Sequence, residues 1–320
     1  MALRLKELRI SIMMKQKRVM KNSRILVLIL VCTSLTLFSQ KRKVILIGID
    51  GLQFEQIAQT NTPNFDKFII KKGFTGGVLG SKTQQVTSSG PSWMTILTGV
   101  WVNKHKVISN SSQQISHSKS IFNYIKTANP KSYTSSISTW KNINLLLYKD
   151  MYKVDFSSQG EGDDHSTSLA VSQINDKAPD FIFIHLDDID HAGHAYGFGD
   201  EYAESINKMD KRIGRVLAAV DKREYMNNEE WLVILVTDHG RGPKGKGHGN
   251  QTISEKTIFI GLNKKGNSFF EGINNDSDVL SIQDLERNTL PQTAIVPTIL
   301  KFLNISIKKE RGLDASPLVD

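Results

Sequence analysis

Three apolar runs of this sequence each end in acidic residues or in an acid followed by histidine. Val44–Ile49 leads into Asp50, Phe181–Leu186 leads into Asp187-Asp188-Ile189-Asp190, and Trp231–Thr237 leads into Asp238-His239. Short runs rich in β-branched residues are typical of strands buried on both faces, and ligands of such sheets bind beyond the carboxyl ends of the strands. The pattern predicts that carboxylates and imidazoles from distant segments meet at one sheet edge, as metal ligands do.

Further histidines complete this candidate metal site. Asp190 and His194 are spaced i, i+4, so both can reach one ion from a turn or short helix, and His248 lies in the glycine-rich segment Gly245–Gly249. Mixed nitrogen and carboxylate ligands suit Zn2+, with Mn2+ or Fe as alternatives, and two ions about 3.5–4 Å apart serve phosphoryl transfer. The candidate ligands are Asp50, Asp190, His194, Asp238, His239 and His248.

Ser89 is the candidate nucleophile. It precedes Gly90-Pro91 at the start of a predicted helix that stops at Gly99. The backbone N–H groups and positive dipole of a helix N-terminus favour a phosphate oxyanion and a developing alkoxide. Taken alone, a serine before Gly-Pro is better explained as a helix cap. Only the candidate metal ligands favour the nucleophile over the cap.

The elements that must position these residues alternate strand-like runs with amphipathic stretches. This pattern predicts a doubly wound α/β fold with a largely parallel central sheet and helices on both faces. Helices are predicted over residues 62–73, 88–99, 201–220 and 293–303, and surface loops over 109–119 and 157–166. His185 lies within an apolar strand and is interpreted as a core histidine whose ring nitrogens are hydrogen-bonded.

The N-terminal 40 residues differ in composition from the rest of the chain. They hold eight Lys and Arg against one Glu, so they carry seven of the nine net positive charges. A basic patch for nucleic acid therefore has little support in the remainder. With 39% hydrophobic residues in a chain of 320, residues 41–320 can form one catalytic domain with a sizeable core.

Residues 1–40 have the pattern of a secretory signal. The basic start is followed by the apolar run 25–38, then Ser39 and a polar segment, which predicts cleavage near Ser39 and a secreted or periplasmic protein. The alternative is an uncleaved membrane anchor through residues 25–38, but this run is shorter than the roughly 20 residues of a spanning helix. The single cysteine, Cys32, lies inside the run, so the mature chain has no thiolate ligand.

From Val44 onward the sequence resembles the type I phosphodiesterase/nucleotide pyrophosphatase family of the alkaline phosphatase superfamily. The resemblance is carried by Ile49-Asp50-Gly51, Thr62-Pro63-Asn64, the block Ser89–Gly99 with His105, Asp190–His194, Asp238-His239-Gly240 with His248, and Ile295–Leu300. It implies an alkaline phosphatase-like fold and two Zn2+ ions. One ion would be bound by Asp190, His194 and His248, and the other by Asp50, Ser89, Asp238 and His239.

Two departures from the family pattern bear on the substrate. The usual nucleophile is Thr, followed by an Asn that helps hold a phosphate oxygen, and these positions align with Ser89 and Ser92. Sulfatase relatives need an Arg where Trp93 stands, so sulfatase activity is disfavoured. Trp93 would form an apolar wall for the leaving group, with core packing as the equal alternative.

The resemblance and the candidate site together predict a phosphodiesterase that acts on a small phosphorylated substrate through a phosphoseryl intermediate on Ser89. A phosphomonoesterase or a phosphonate hydrolase of the same superfamily is the enzymatic alternative. A metal-binding pseudoenzyme is the alternative from another class. Nothing in the sequence indicates the oligomeric state.

Overall fold

Eight strands form one sheet. They are β1 Lys41–Ile49, β2 Ile69–Phe74, β3 Thr134–Ser138, β4 Phe156–Gln159, β5 Phe181–Leu186, β6 Glu229–Thr237, β7 Thr257–Leu262 and β8 Leu290–Pro291. The order across the sheet is β4-β3-β5-β1-β6-β7-β2-β8. Strand β7 runs antiparallel to β6 and β2, and the other neighbouring pairs are parallel. The strands predicted from the three apolar runs, β5, β1 and β6, are adjacent, so their carboxyl ends meet.

Helices occupy the connections between the strands. They are α1 Phe54–Ile57, α2 Ser89–Thr98, α3 Val102–His105, α4 Ile121–Ala128, α5 Asn142–Leu146, α6 Tyr148–Met151, α7 Asp163–Asp176, α8 Asp188–Tyr196, α9 Asp200–Asn227, α10 Ile253–Lys256, α11 Ser268–Glu271, α12 Ile282–Asn288 and α13 Ile295–Phe302. Helix α2 ends at Gly99 in the left-handed conformation, as expected of a glycine stop.

Both faces of the sheet are covered. Val44 and Leu46 of β1 pack into a cluster with residues of α2, α4 and α13, whereas Ile45 and Ile47 pack into a second cluster with residues of α7 and α9. Successive side chains of a strand point to opposite faces, so this partition places one helical layer on each side. The doubly wound α/β fold predicted from the sequence is confirmed.

Three of the four predicted helices are confirmed, in α2, α9 and α13, and the helix over residues 62–73 is wrong. A 3₁₀ turn at Phe65–Lys67 is followed by strand β2. Ile69 packs against one apolar cluster and Ile70 against the other, the alternation of a strand. The loop predicted over residues 157–166 is also wrong in part, because it contains most of β4 and the start of α7.

The computed structural model describes residues 40–320 and, before them, Lys6, residues 13–18 and Met20. Residues 13–18 are helical, and the apolar run 25–38 lies outside the described residues. Lys41–Asp320 makes one compact unit and Met1–Gln40 a separate one. Among the helices that the structure describes, none combines the length and apolar character needed to cross a membrane.

Candidate metal centre and nucleophile

The carboxyl ends of β1, β5 and β6 deliver the candidate ligands. Ile49, the last residue of β1, pairs with Leu186 of β5 and Thr237 of β6, so the residues that follow these strands emerge side by side. Gly51, directly after Asp50, has φ +61°, and a Cβ there would overlap Asp190 and Arg241. The Asp50-Gly51 motif therefore reflects close packing at the site.

Asp50, Asp238 and His239 form one group whose ligand atoms lie within 4.8 Å of one another. All three side chains are buried. Ser89, the first residue of α2, places its Oγ 3.3 Å from Asp50 Oδ1 and 3.4 Å from His239 Nε2. The structure thus places Ser89 beside Asp50 and His239, two of the residues predicted to bind the same metal ion as Ser89.

Asp190, His194 and His248 also converge, around a second point. His194 Nε2 lies 3.2 Å from Asp190 Oδ2 and 3.1 Å from His248 Nε2. His248 Nε2 lies 3.9 Å from Asp190 Oδ1, and its ring stacks on that of His239 with centroids 3.9 Å apart. Asp190 and His248 also form a compact group with His239, so the two sets adjoin through that imidazole.

The backbone hydrogen bonds of His194, His239 and His248 engage the same nitrogen, Nδ1, in each ring. Nδ1 lies 3.0 Å from the Lys246 carbonyl oxygen in His194, 3.0 Å from the Gly240 carbonyl oxygen in His239 and 2.9 Å from the Thr87 carbonyl oxygen in His248. A carbonyl only accepts, so Nδ1–H donates in all three rings, and in a neutral ring Nε2 then carries the lone pair that a metal ion binds. Carbonyl partners of this kind are typical of metal-ligating histidines.

The pKa values of Asp50 and Asp238 are raised, because burial and neighbouring negative charges disfavour their ionised forms. Burial and the charge of Asp190 raise the pKa of Asp50 to about 8. Burial and the charge of Asp50 raise the pKa of Asp238 well above its ordinary value. Asp238 Oδ2 is buried and has no hydrogen-bond partner among the described residues. A divalent cation would satisfy this oxygen and compensate the repulsion, so the donor set fits a metal centre.

The surroundings shift the pKa values of His194 and His239 in opposite directions. Burial lowers the pKa of His239 well below its ordinary value, which leaves this ring neutral. The hydrogen bond to Asp190 raises the pKa of His194, because it stabilises the ring that carries a proton on Nε2. A metal ion would replace that proton, as expected of sites whose metal affinity depends on pH.

The two residues predicted to contact substrate lie deeper than the ligands. Ser92 is fully buried, and its Oγ is 3.2 Å from Thr75 Oγ1. Trp93 is also fully buried, and its indole N–H donates to Asp50 Oδ2 at 2.9 Å. The structure places Trp93 behind Asp50 and does not bring Ser92 into the group around Ser89.

Arg241 and His185 also contact the candidate ligands. The site predicted from the sequence does not include either residue. Arg241, fully buried, forms an ion pair with Asp190 and donates to the Gly245 carbonyl. Burial acts to raise the pKa of Asp190, but the hydrogen bond from His194 and the charge of Arg241 outweigh it and lower the pKa. The only sequence signal for Arg241 is its position directly after Asp238-His239-Gly240.

A comparison with models of protein families shows to which family this chain belongs. The model of the type I phosphodiesterase / nucleotide pyrophosphatase family matches residues 44–289. The chain belongs to this family. Type I phosphodiesterases are metal-dependent enzymes that act on phosphoesters, and the buried ligand groups described above agree with that dependence.

The chain is similar to ethanolamine phosphate transferases and to nucleotide-hydrolysing enzymes. GPI ethanolamine phosphate transferase 2 of Schizosaccharomyces pombe is 26% identical over 196 residues, which cover 59% of this chain and 24% of that protein. Human bis(5'-adenosyl)-triphosphatase ENPP4 is 21% identical over 218 residues, which cover 62% of this chain and 47% of that protein. In these alignments the chain spans between about a quarter and a half of its relatives' length.

Solved structures show the same fold at low identity. A protein from Pyrococcus horikoshii superposes with a TM-score of 0.54 at 16% identity, covering 84% of this chain and 98% of that one. A protein solved with its substrate D-glucosamine-2-N,6-O-disulfate gives a TM-score of 0.58 at 14% identity, covering 87% of this chain and 79% of that one. These likenesses identify the alkaline phosphatase-like fold only.

Proposed function

We propose that this type I phosphodiesterase hydrolyses small phosphodiesters through a phosphoseryl intermediate on Ser89. The observation that carries the proposal is the environment of the Ser89 hydroxyl. Its Oγ lies within 3.4 Å of both Asp50 and His239, at the start of a helix and beside two groups of metal-compatible side chains. A nucleophile at a helix N-terminus next to such ligands suits attack on a phosphorus atom.

Asp50, Ser89, Asp238 and His239 would hold one Zn2+, and Asp190, His194 and His248 the other. When bound, the two ions would neutralise charge on the phosphoryl oxygens and stabilise the attacking and leaving oxygens. Mn2+ or Fe are the alternatives for the same ligands. Backbone carbonyls accept from Nδ1 in all three histidines, which leaves Nε2 as the nitrogen that would bind the ion and favours this assignment.

The protein residues perform the remaining steps. The Ser89 hydroxyl donates to Asp50 Oδ1, which orients an oxygen lone pair away from that carboxylate. Ser89 Oγ then forms a bond to phosphorus while its proton passes to Asp50 Oδ1 and from there to solvent. The bond between phosphorus and the leaving alkoxide breaks in the same step, and the alkoxide takes a proton from solvent. Water next breaks the bond between phosphorus and Ser89 Oγ, which releases a phosphomonoester and restores the serine.

A transferase is the second candidate function. The relatives named as ethanolamine phosphate transferases support it, since one of them, from Yarrowia lipolytica, is 24% identical over 297 residues. The same phosphoseryl intermediate would then pass its phosphoryl group to an acceptor alcohol in place of water. The two functions therefore share their first step and differ in the second.

A substrate panel tests the proposal. Zinc-loaded protein is given bis-p-nitrophenyl phosphate, p-nitrophenyl phosphate and p-nitrophenyl phenylphosphonate, each with and without glycerol or ethanolamine as acceptor. We expect the highest kcat/KM on the diester, with water as the acceptor. A faster monoester or phosphonate would favour the enzymatic alternatives, and a phosphorylated acceptor would favour the transferase. A protein that binds two metal ions but turns over no ester would be a pseudoenzyme.

Export to the periplasm or the exterior is part of the proposal, because the basic start and apolar run 25–38 fit a cleaved signal. Retention of residues 25–38 as a membrane anchor is the alternative. The low net charge of residues 41–320 gives no support to nucleic acid as a partner, so the proposed partner is a small phosphorylated substrate.

A further inference from the structure

One oxygen of Asp50 is held by two side chains that lie behind the candidate metal centre. Trp93 Nε1–H donates to Asp50 Oδ2 at 2.9 Å, and His185 Nε2 lies 3.0 Å from the same oxygen. Trp93 and His185 are fully buried and Asp50 is 1% exposed, so water does not compete for these bonds. The other oxygen, Oδ1, faces Ser89 and His239.

The tautomer of His185 follows from its second partner. The backbone N–H of Trp140 donates to His185 Nδ1 at 3.3 Å, so Nδ1 carries the lone pair and Nε2 carries the proton. This is the reverse of His194, His239 and His248, whose Nδ1 atoms face carbonyl oxygens. Although His185 lies close to Asp50 and Asp187 in a third acidic group, it presents an N–H to Asp50 and has no lone pair free for an ion.

The sheet itself builds this arrangement. Gly48 of β1 pairs with His185 of β5, and a Cβ on Gly48 would overlap the Trp93 indole ring. The indole lies against the His185 ring in a T-shaped contact, with centroids 4.9 Å apart and an interplanar angle of 83°. The glycine in the strand thus leaves the space in which both donors reach Asp50 Oδ2.

We propose that His185 and Trp93 are positioning residues that fix Asp50 so that only Oδ1 is offered to the metal ion and to Ser89. A carboxylate free to rotate could bind an ion through both oxygens and turn away from the serine. Two fixed N–H donors on Oδ2 prevent that rotation and favour binding through one oxygen. The inference rests on the proposed function, because it requires a metal ion at Asp50.

The test compares variants that remove or keep the N–H donors. His185→Leu removes one donor at similar side-chain volume, and Trp93→Phe removes the other and leaves a smaller ring. His185→Gln can place an amide N–H near the position of Nε2. Trp231→Phe is the matched control, because Trp231 is also fully buried and its Nε1–H donates to the buried carboxylate of Glu229 at 3.0 Å, in the N-terminal part of β6.

The first readout is zinc affinity of the full-length protein, measured by chelator competition without substrate. We expect His185→Leu and Trp93→Phe to weaken the binding of one of the two ions by about 10–100-fold, the usual effect of losing a group that orients a ligand. His185→Gln should recover most of the affinity, and Trp231→Phe should leave both affinities unchanged. The absorption bands of Co2+-loaded protein should shift in His185→Leu and Trp93→Phe only.

Several results would overturn the inference. Unchanged metal affinity in both donor-free variants would do so, as would an equal loss in Trp231→Phe, which would reveal a general effect of buried indole loss. A loss in His185→Gln as large as in His185→Leu would show that the ring nitrogen, and not the N–H, is required. Because these affinities are measured without substrate, a failure to hydrolyse esters would refute the proposed function alone, whereas a wild-type protein that binds no metal would refute both.

Discussion

Replacing Ser89 with alanine should separate catalysis from folding and metal binding. The change removes one oxygen from a side chain that is 6% exposed and breaks two contacts of 3.3 and 3.4 Å. Hydrogen bonds of this kind contribute about 0.5–1.5 kcal/mol each, so stability should fall by no more than about 2–3 kcal/mol. All six Asp and His ligands remain. Turnover should fall by about a thousandfold or more, since the covalent route is lost, which corresponds to about 4 kcal/mol of transition-state stabilisation.

The assay is kcat/KM on bis-p-nitrophenyl phosphate, with metal content and thermal unfolding measured on the same samples. Ser88→Ala is the matched control, because the Ser88 side chain makes no capping hydrogen bond and should cost little. Ser89→Thr should keep measurable activity. Thr87→Ala is not a neutral control, since its hydroxyl donates to Glu255 and accepts from Gly249 N–H. Near-full activity of Ser89→Ala would refute the phosphoseryl intermediate.

Four further predictions follow from the site and the N-terminal segment. Purified protein should contain close to two transition-metal ions, and EDTA should abolish turnover with zinc restoring it; full activity in EDTA would contradict the metal assignment. In metal-free protein the pKa of Asp50 is about 8, above the ordinary 3.8, so the folded state binds the extra proton and stability should fall as pH rises from about 4 to 8. Thermal unfolding in EDTA should show this slope, and Asp50→Asn should reduce it. Arg241→Met should cost about 3–5 kcal/mol in urea unfolding without metal, because Asp190 loses a buried ionic partner; a cost below 1 kcal/mol would contradict a supporting role. A reporter fused to residues 1–43 should cross the membrane and be cleaved near Ser39, whereas a product that keeps residues 25–38 would favour the anchor.

The central part of the fold could be predicted from the sequence because its signal is local. Strands β1, β5 and β6 are uninterrupted apolar runs, and burial on both faces of a sheet requires that composition. Strand β2 lies in the segment predicted as a helix, because Thr62-Pro63 and Gly73 have the residue types of helix start and stop signals. Its strand geometry depends on antiparallel pairing with β7, where the paired residues Ile70 and Gly261 are 191 residues apart in the sequence, and no local pattern indicates so distant a partner.

Asp50, Asp238 and His239 could be predicted for the same reason, since they directly follow the ends of β1 and β6. Asp190 likewise follows the end of β5 within four residues. The groups that support them could not, because their roles depend on which atom a neighbour presents. His185 and His239 are both buried histidines near the sheet edge, yet a Trp140 N–H faces Nδ1 of the first and a Gly240 carbonyl faces Nδ1 of the second. That single difference makes one ring a donor to Asp50 and leaves the other with a lone pair for a metal ion. The position of His185 inside an apolar run predicts only a core histidine, so the folded backbone is needed to show that its N–H orients a ligand.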